Sequence, residues 1–136
     1  MNMKIHLSEN HTRSLSSSLI VIEKSLSELE DMLLKQSNSC CNVLLKDVDD
    51  EMIESNISAI KEAKSYICEL ADKYGTSKEN LSLHRVINAK RTKIWEILTD
   101  TVSRKMKGYG TFPKKYVDEY DSDINKLIEI TNRINC

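Results

Sequence analysis

Apolar residues recur with helical spacing over most of the chain. In the first segment they alternate between four and three residues apart, as a heptad seam does. The members of this seam are Leu15, Leu19, Ile22, Leu26, Leu29 and Leu33. A second amphipathic series contains Ile53, Ile57, Ile60, Ala63, Ile67, Leu70 and Ala71. The pattern predicts a first helix over about residues 8–36 and a second over about 49–74.

Capping signals divide the rest of the chain. Gly75 is suited to the left-handed residue that ends a helix. Thr76 followed by Glu79 has the spacing of a capping box. Pro113 favours the first position of a helix. With the apolar periodicity, these signals predict a third helix over 77–106 and a fourth over 113–135, both approximate.

Four amphipathic helices with mostly short connections predict an all-α fold, an antiparallel up-down-up-down four-helix bundle. At 136 residues, the chain is expected to be a single domain spanning 1–136. The longer connection, residues 36–48, contains Val43, Leu44, Leu45 and Val48, which we expect to pack against the end of the bundle. The seam of the first helix leaves a coiled-coil homodimer open as an alternative.

Composition supports the all-α class and limits the cellular location and the cofactors that we expect. Three Gly and one Pro suit helices better than a β sandwich. The longest apolar run, Leu19–Ile22, is far too short to span a membrane, and the first ten residues lack the apolar core of a signal peptide. The four cysteines, Cys40, Cys41, Cys68 and Cys136, have neither a disulfide-framework nor a metal-site pattern. We expect reduced thiols and a cytoplasmic protein, with no membrane partner, metal or other cofactor.

Charge is distributed unevenly. Residues 85–115 contain nine basic and two acidic side chains, a net charge of +7. The remaining residues contain eleven basic and nineteen acidic side chains, a net charge of −8. Clustered charge selects partners at a distance, so the formal net charge of −1 conceals a strongly dipolar chain.

The densest basic stretch lies between the third and fourth helices. Lysines at the start of a helix oppose its dipole, and together with free amide groups they could form an anion site. The two aromatic residues of the stretch are expected to be exposed, ready to stack on a base or pack on a partner. The predicted anion-binding or partner-binding residues are Arg104, Lys105, Lys107, Tyr109, Phe112, Lys114 and Lys115. The alternative is a solvated basic loop.

A second polar feature interrupts the apolar face of the third helix. On a helical wheel, Lys90 lies near the centre of that face, and we expect it to pair with Glu23, Glu62 or Glu129. This cluster is either a buried polar layer or the lining of a small-ligand pocket. Its residues are His84, Asn88, Lys90, Arg91 and Trp95.

These features predict a binding protein rather than an enzyme. The basic surface formed by the third and fourth helices would dock an acidic or phosphorylated protein, or nucleic acid. A pI near 6.3 favours the protein, because nucleic-acid binders are usually basic overall. The alternatives are a structural, self-associating module that uses the first helix, and a ligand-binding or catalytic bundle around Lys90. No catalytic residues are identified.

Overall fold

The computed structural model describes residues 4–35, 39–76 and 78–135. It is 72% helical, and no strand occurs in these ranges. The predicted all-α class is confirmed. Four α helices and three 3-10 turns follow one another. The helices are α1 (Glu9–Lys35), α2 (Asp50–Lys73), α3 (Leu83–Thr99) and α4 (Val117–Thr131). The 3-10 turns are Ser103–Lys105, Lys107–Tyr109 and Lys114–Tyr116.

The chain divides into two compact units, Met1–Lys78 and Glu79–Cys136. In the first unit, α1 packs against α2 around the buried side chains of Leu19, Ile53 and Ile60. An ion pair supports the packing, since the Lys64 Nζ donates to Glu30 Oε1 at 3.1 Å. None of the described helices is both long and apolar enough to cross a bilayer.

Both ends of α2 are capped by local contacts. The Asp49 carboxylate accepts a hydrogen bond from the Met52 amide at 2.7 Å. At the other end, Gly75 takes the left-handed φ of 64°, as its position predicts. The amides of Gly75 and Thr76 then bond to the carbonyl oxygens of Asp72 and Ala71 at 3.3 and 2.9 Å. This pattern is a Schellman motif, and it places Thr76 in the C-terminal cap of α2.

The connection after α1 differs from the expected packing. Val43 and Leu45 are 71% and 73% exposed, whereas Leu44 is half-buried. Ser39 and Asn42 form a local turn. The Ser39 amide donates to the Asn42 carbonyl oxygen at 3.0 Å, and the Asn42 amide donates to the Ser39 hydroxyl at 3.1 Å. The turn is thus held by its own hydrogen bonds and does not depend on packing of Val43 and Leu45 against a helix end. Residues 36–38, including the predicted end of the first helix at 36, lie outside the described ranges.

The third helix begins later than predicted. Its N-cap is Ser82, whose hydroxyl accepts a hydrogen bond from the Arg85 amide at 3.3 Å. The predicted start at Thr76–Glu79 is wrong, because the Thr76 amide already closes the end of α2. Residue 77, the predicted first helical position, is outside the described part. In this second unit α3 packs against α4, and Leu98 and Ser103 are buried.

The third helix also ends earlier, and the fourth starts later, than the predicted 106 and 113. After Thr99, the hydroxyls of Thr99 and Thr101 bond to the carbonyl oxygens of Glu96 and Ile97, which favours termination. The chain then follows three 3-10 turns before α4 begins at Val117. At the far end, Asn132 caps α4, so regular helix stops short of 135.

Candidate functional site

The predicted anion site lies on the irregular segment between α3 and α4. Residues 104–115, here called the basic junction, contain five cationic side chains and no acidic one. Arg104, Lys105, Lys107, Lys114 and Lys115 are all exposed. These cations therefore project from a segment built of short turns rather than from the two helix ends that the sequence predicted.

A carboxylate on α4 holds the start of this segment in place. Asp121 accepts a hydrogen bond from the Ser103 amide on Oδ1 at 2.8 Å and one from the Ser103 hydroxyl on Oδ2 at 2.7 Å. The hydrogen bonds from the Ser103 amide and hydroxyl hold the pKa of Asp121 below its ordinary value. Desolvation opposes them, and the charge of Arg104 lowers the pKa by the smallest contribution. The contact closes a loop of the chain between α3 and α4.

The aromatic residues of the segment divide between scaffold and surface. The Tyr120 hydroxyl donates to the Thr101 carbonyl oxygen at 2.6 Å. The centroids of the Tyr120 and Phe112 rings are 4.7 Å apart. Phe112 is half-buried by this contact, so the prediction that it is freely exposed is wrong. Tyr109, by contrast, is 89% exposed. Tyr109 is therefore the aromatic side chain of the junction that is fully available to a partner.

Gly110 sets the direction of the chain through the junction. Its φ of 120° and ψ of 176° lie in a region that only glycine adopts readily. Its amide bonds to the Lys107 carbonyl oxygen at 3.2 Å, which closes the second 3-10 turn. No neighbouring atom approaches the place of a missing Cβ. The glycine is required by backbone conformation and not by close packing.

A solvent-open groove of about 610 Å³ lies beside these turns. It is lined by Arg104, Lys107, Thr111, Phe112 and Val117, together with Ser103 and Gly110. Lys105, Lys114 and Lys115 are not among the lining residues. The structure therefore places two of the five cations at one groove.

The lysine pair at the end of the junction lies outside helical structure. Lys114 and Lys115 belong to the 3-10 turn before α4, not to its first turn as predicted. The ammonium of Lys115 lies 4.9 Å from the centroid of the Tyr116 ring. The first turn of α4 instead contains Asp118 and Glu119, which suit the helix dipole.

The expectation that Lys90 lies at the centre of the buried face of the third helix is wrong. Lys90 is exposed, whereas Val86, Ile87 and Ile94 of the same helix are half-buried. Within the second unit, no described carboxylate, including that of Glu129, lies within ion-pair distance of Lys90. Pairing with Glu23 or Glu62, which belong to the first unit, stays a prediction. Leu83 and Ile97, two apolar residues of α3, are also exposed. The half-buried and buried residues Ile87, Arg91, Ile94 and Leu98 follow one another four, three and four residues apart, so Arg91 and not Lys90 lies on the inward line of the helix.

The polar line beside Lys90 is present as a chain of hydrogen bonds. His84 and Asn88 are joined through Nε2 and Nδ2 at 3.3 Å, and Arg91 donates to Asn88 Oδ1 at 3.2 Å. A second Arg91 nitrogen donates to the Ile134 carbonyl oxygen at 3.1 Å. Arg91 therefore ties α3 to the chain that follows α4. Trp95 is about half exposed, and a ligand pocket at this cluster stays a prediction.

The sequence did not identify the residues that shape the junction. Asp121 reads as a helix-start residue, and Ser103 and Thr101 read as ordinary polar positions of a continuing helix. Their roles depend on contacts across 18 and 19 residues of chain, which no local pattern encodes. The signal available in the sequence is the run of Thr and Ser residues at 99–103, which weakens a helix.

The thiols form no recognisable centre in the described part of the chain. Cys40, Cys41 and Cys68 are exposed. Cys136 lies outside the described residues. Among those that are described, no group of three or more His, Cys, Asp or Glu side chains is placed to hold a metal ion.

Comparison with known proteins assigns no role to this site. No protein-family model, no curated protein and no solved structure matches the chain. The function is therefore inferred from the geometry and charge of the chain itself.

Proposed function

We propose that the chain is a small binding protein whose basic junction docks an acidic protein partner. The observation that carries this proposal is the exposure of all five junction cations on a segment that contains no acid. Hydrogen bonds from Ser103 to Asp121 and from Tyr120 to Thr101 hold the segment against α4. A cationic surface held in one shape loses less entropy on binding than a mobile loop would.

An acidic or phosphorylated protein suits this surface better than nucleic acid does. The charge outside residues 85–115 is −8, which would repel an extended polyanion beyond the junction itself. A protein partner needs complementary charge only where it touches. Nucleic acid remains the competing partner, because Tyr109 is exposed and could stack on a base.

Salt-dependent retention on phosphocellulose tests the proposal. The variant Lys114→Glu with Lys115→Glu reverses two exposed junction charges, and we expect it to elute at clearly lower salt than the wild type. The matched control is Lys24→Glu with Lys61→Glu, which makes the same change of net charge at exposed positions on α1 and α2. Equal shifts for both variants would show that total charge, and not the junction, governs binding.

A pull-down from nuclease-treated lysate then separates the partner classes. A protein captured by the wild type but not by the Lys114→Glu, Lys115→Glu variant, and insensitive to nuclease, would support the proposal. A capture that nuclease abolishes would assign the junction to nucleic acid instead. Circular dichroism of the variant should match that of the wild type, because both lysines are exposed.

Three further features belong to this proposal. The antiparallel up-down-up-down bundle, as one domain over residues 1–136, is supported by the amphipathic pattern of the four helical segments. A cytoplasmic location is supported by cysteine spacing that forms no disulfide framework. Anion binding is supported by the clustered charge of the junction.

Self-association is the second candidate function. It is favoured by the seam of α1, where Ile22 and Leu29 are nearly half exposed while Leu19 is buried. A ligand-binding or catalytic role around Lys90 ranks third, because Asn88 and Arg91 are engaged in hydrogen bonds that tie the unit together.

A further inference from the structure

The groove beside the basic junction has an apolar side that electrostatic docking alone does not need. Phe112 and Val117, both half-buried, contribute apolar surface to its lining. Phe112 is held by the Tyr120 ring at 4.7 Å, and the Val117 amide bonds to the Lys114 carbonyl oxygen. Because these contacts hold both residues in place, the apolar surface is present before any partner arrives.

Two cations border the same groove. Arg104 and Lys107 line it, are exposed, and form no ion pair with any described carboxylate. The charge of Arg104 lowers the pKa of Asp121, but the two oxygens of this carboxylate already accept hydrogen bonds from Ser103. The guanidinium and the ammonium therefore remain available to anionic groups of a partner.

We infer that this groove binds an apolar side chain of an acidic peptide segment, while Arg104 and Lys107 pair with carboxylates next to that side chain in the peptide. This inference rests on the proposed function and adds to it the chemistry of the partner. Apolar contact supplies affinity that salt does not screen, and the charge pairs supply selectivity for acidic sequences. An acidic peptide without an apolar residue would use only the charges.

Paired peptides test this inference on the full chain. One probe is a short fluorescent polyglutamate peptide with a central leucine, and the other has serine in its place. Burial of a leucine side chain adds enough free energy for about a tenfold difference in affinity between the two. Fluorescence anisotropy at low and at physiological salt measures both dissociation constants. The ratio between them should survive the added salt, although each peptide binds more weakly.

Two lysines separated by one residue provide matched variants. Lys107→Gln removes a cation that lines the groove, whereas Lys105→Gln removes one that does not, and both residues are exposed. We expect Lys107→Gln to weaken binding of the leucine peptide several-fold more than Lys105→Gln does. Thr111→Trp places a large side chain at the groove and should bring the two peptides to equal affinity. Circular dichroism checks that each variant folds.

The outcomes separate the inference from the proposed function. Equal affinity of the two peptides for the wild type, with both weakened by Lys114→Glu and Lys115→Glu, would overturn the groove and leave the charged docking surface standing. Binding of neither peptide would overturn the groove, and unchanged phosphocellulose retention of the double variant would overturn the proposed function too. A single-stranded oligonucleotide that binds more tightly than the leucine peptide and displaces it would assign the groove to nucleic acid.

Discussion

Asp121 shows how one side chain can determine the shape of a surface that it does not belong to. Its two oxygens accept both hydrogen-bond donors of Ser103, 18 residues earlier in the chain. Ser103 is buried, so an unpaired amide there would be costly. The acid therefore fixes the position of Ser103, directly before Arg104 and the rest of the junction.

We predict that Asp121→Asn destabilises the second unit at neutral pH and that the difference from the wild type narrows in acid. The folded pKa of Asp121 lies below its ordinary value of 3.8. Its stabilising effect is therefore fully present above that value, and it is lost as the pH falls through the lower, folded pKa. Urea unfolding followed by the fluorescence of Trp95, the single tryptophan and a residue of α3, measures the difference.

Asp123→Asn is the control for this prediction. Asp123 lies two residues further along the same helix and is exposed. Its substitution should change the unfolding free energy little at any pH. A difference between wild type and Asp121→Asn that stays constant down to strongly acidic pH would show that shape, and not the charged carboxylate, accounts for the loss.

At the scale of elements, helix ends depend on which of several local signals finds its partner. Thr76 and Ser82 are both good N-cap residues ahead of α3. The structure uses Ser82, because the Schellman motif at the end of α2 has already taken the Thr76 amide. The capping box at Thr76–Glu79 and the Schellman motif at Gly75 are both local signals, and they compete for the same Thr76 amide.

We predict that Ser82→Ala costs about 1 kcal/mol of unfolding free energy, the usual effect of losing an N-cap side chain. Glu79→Ala removes the other half of the unused capping box and should change the unfolding free energy by less than about 0.5 kcal/mol. Urea unfolding at neutral pH, followed by Trp95 fluorescence, compares the two. A larger loss in Glu79→Ala than in Ser82→Ala would place the true helix start at the earlier box.

The same logic explains what could be predicted from the sequence. The start of α1 and both ends of α2 agree with the prediction to within one residue, because heptad spacing, Asp49 and Gly75 all act locally. The all-α class followed from the same periodicity. The end of α3 and the start of α4 differ from the prediction. The hydroxyls of Thr99 and Thr101 favour the end of α3, and Tyr120 and Asp121 hold the segment after it through contacts distant in sequence. The junction cations were identified by charge alone, whereas the groove depends on turns that charge does not reveal.

At the scale of the whole molecule, the opposite charges of two regions imply that the affinity for a charged partner depends on ionic strength. Residues 85–115 carry +7 and the rest of the chain −8. Screening shortens the reach of these fields to about 8 Å in physiological salt. Binding through the junction should therefore depend steeply on salt, while association through the apolar seam of α1 should not. Salt dependence thus distinguishes the proposed function from its main rival.

The last prediction concerns the role of that seam. Leu19 is 8% exposed and packs within the first unit, whereas Ile22 is 47% exposed. If the seam serves as the interior of the chain's own fold, Leu19→Ala should cost at least about 2 kcal/mol, and Ile22→Ala clearly less. The thermal midpoint, followed by circular dichroism, should then be independent of protein concentration in the wild type and in both variants. A midpoint that rises with concentration in the wild type, and loses that dependence in Ile22→Ala, would identify the seam as a dimer interface, since mass action links the stability of an oligomer to its concentration.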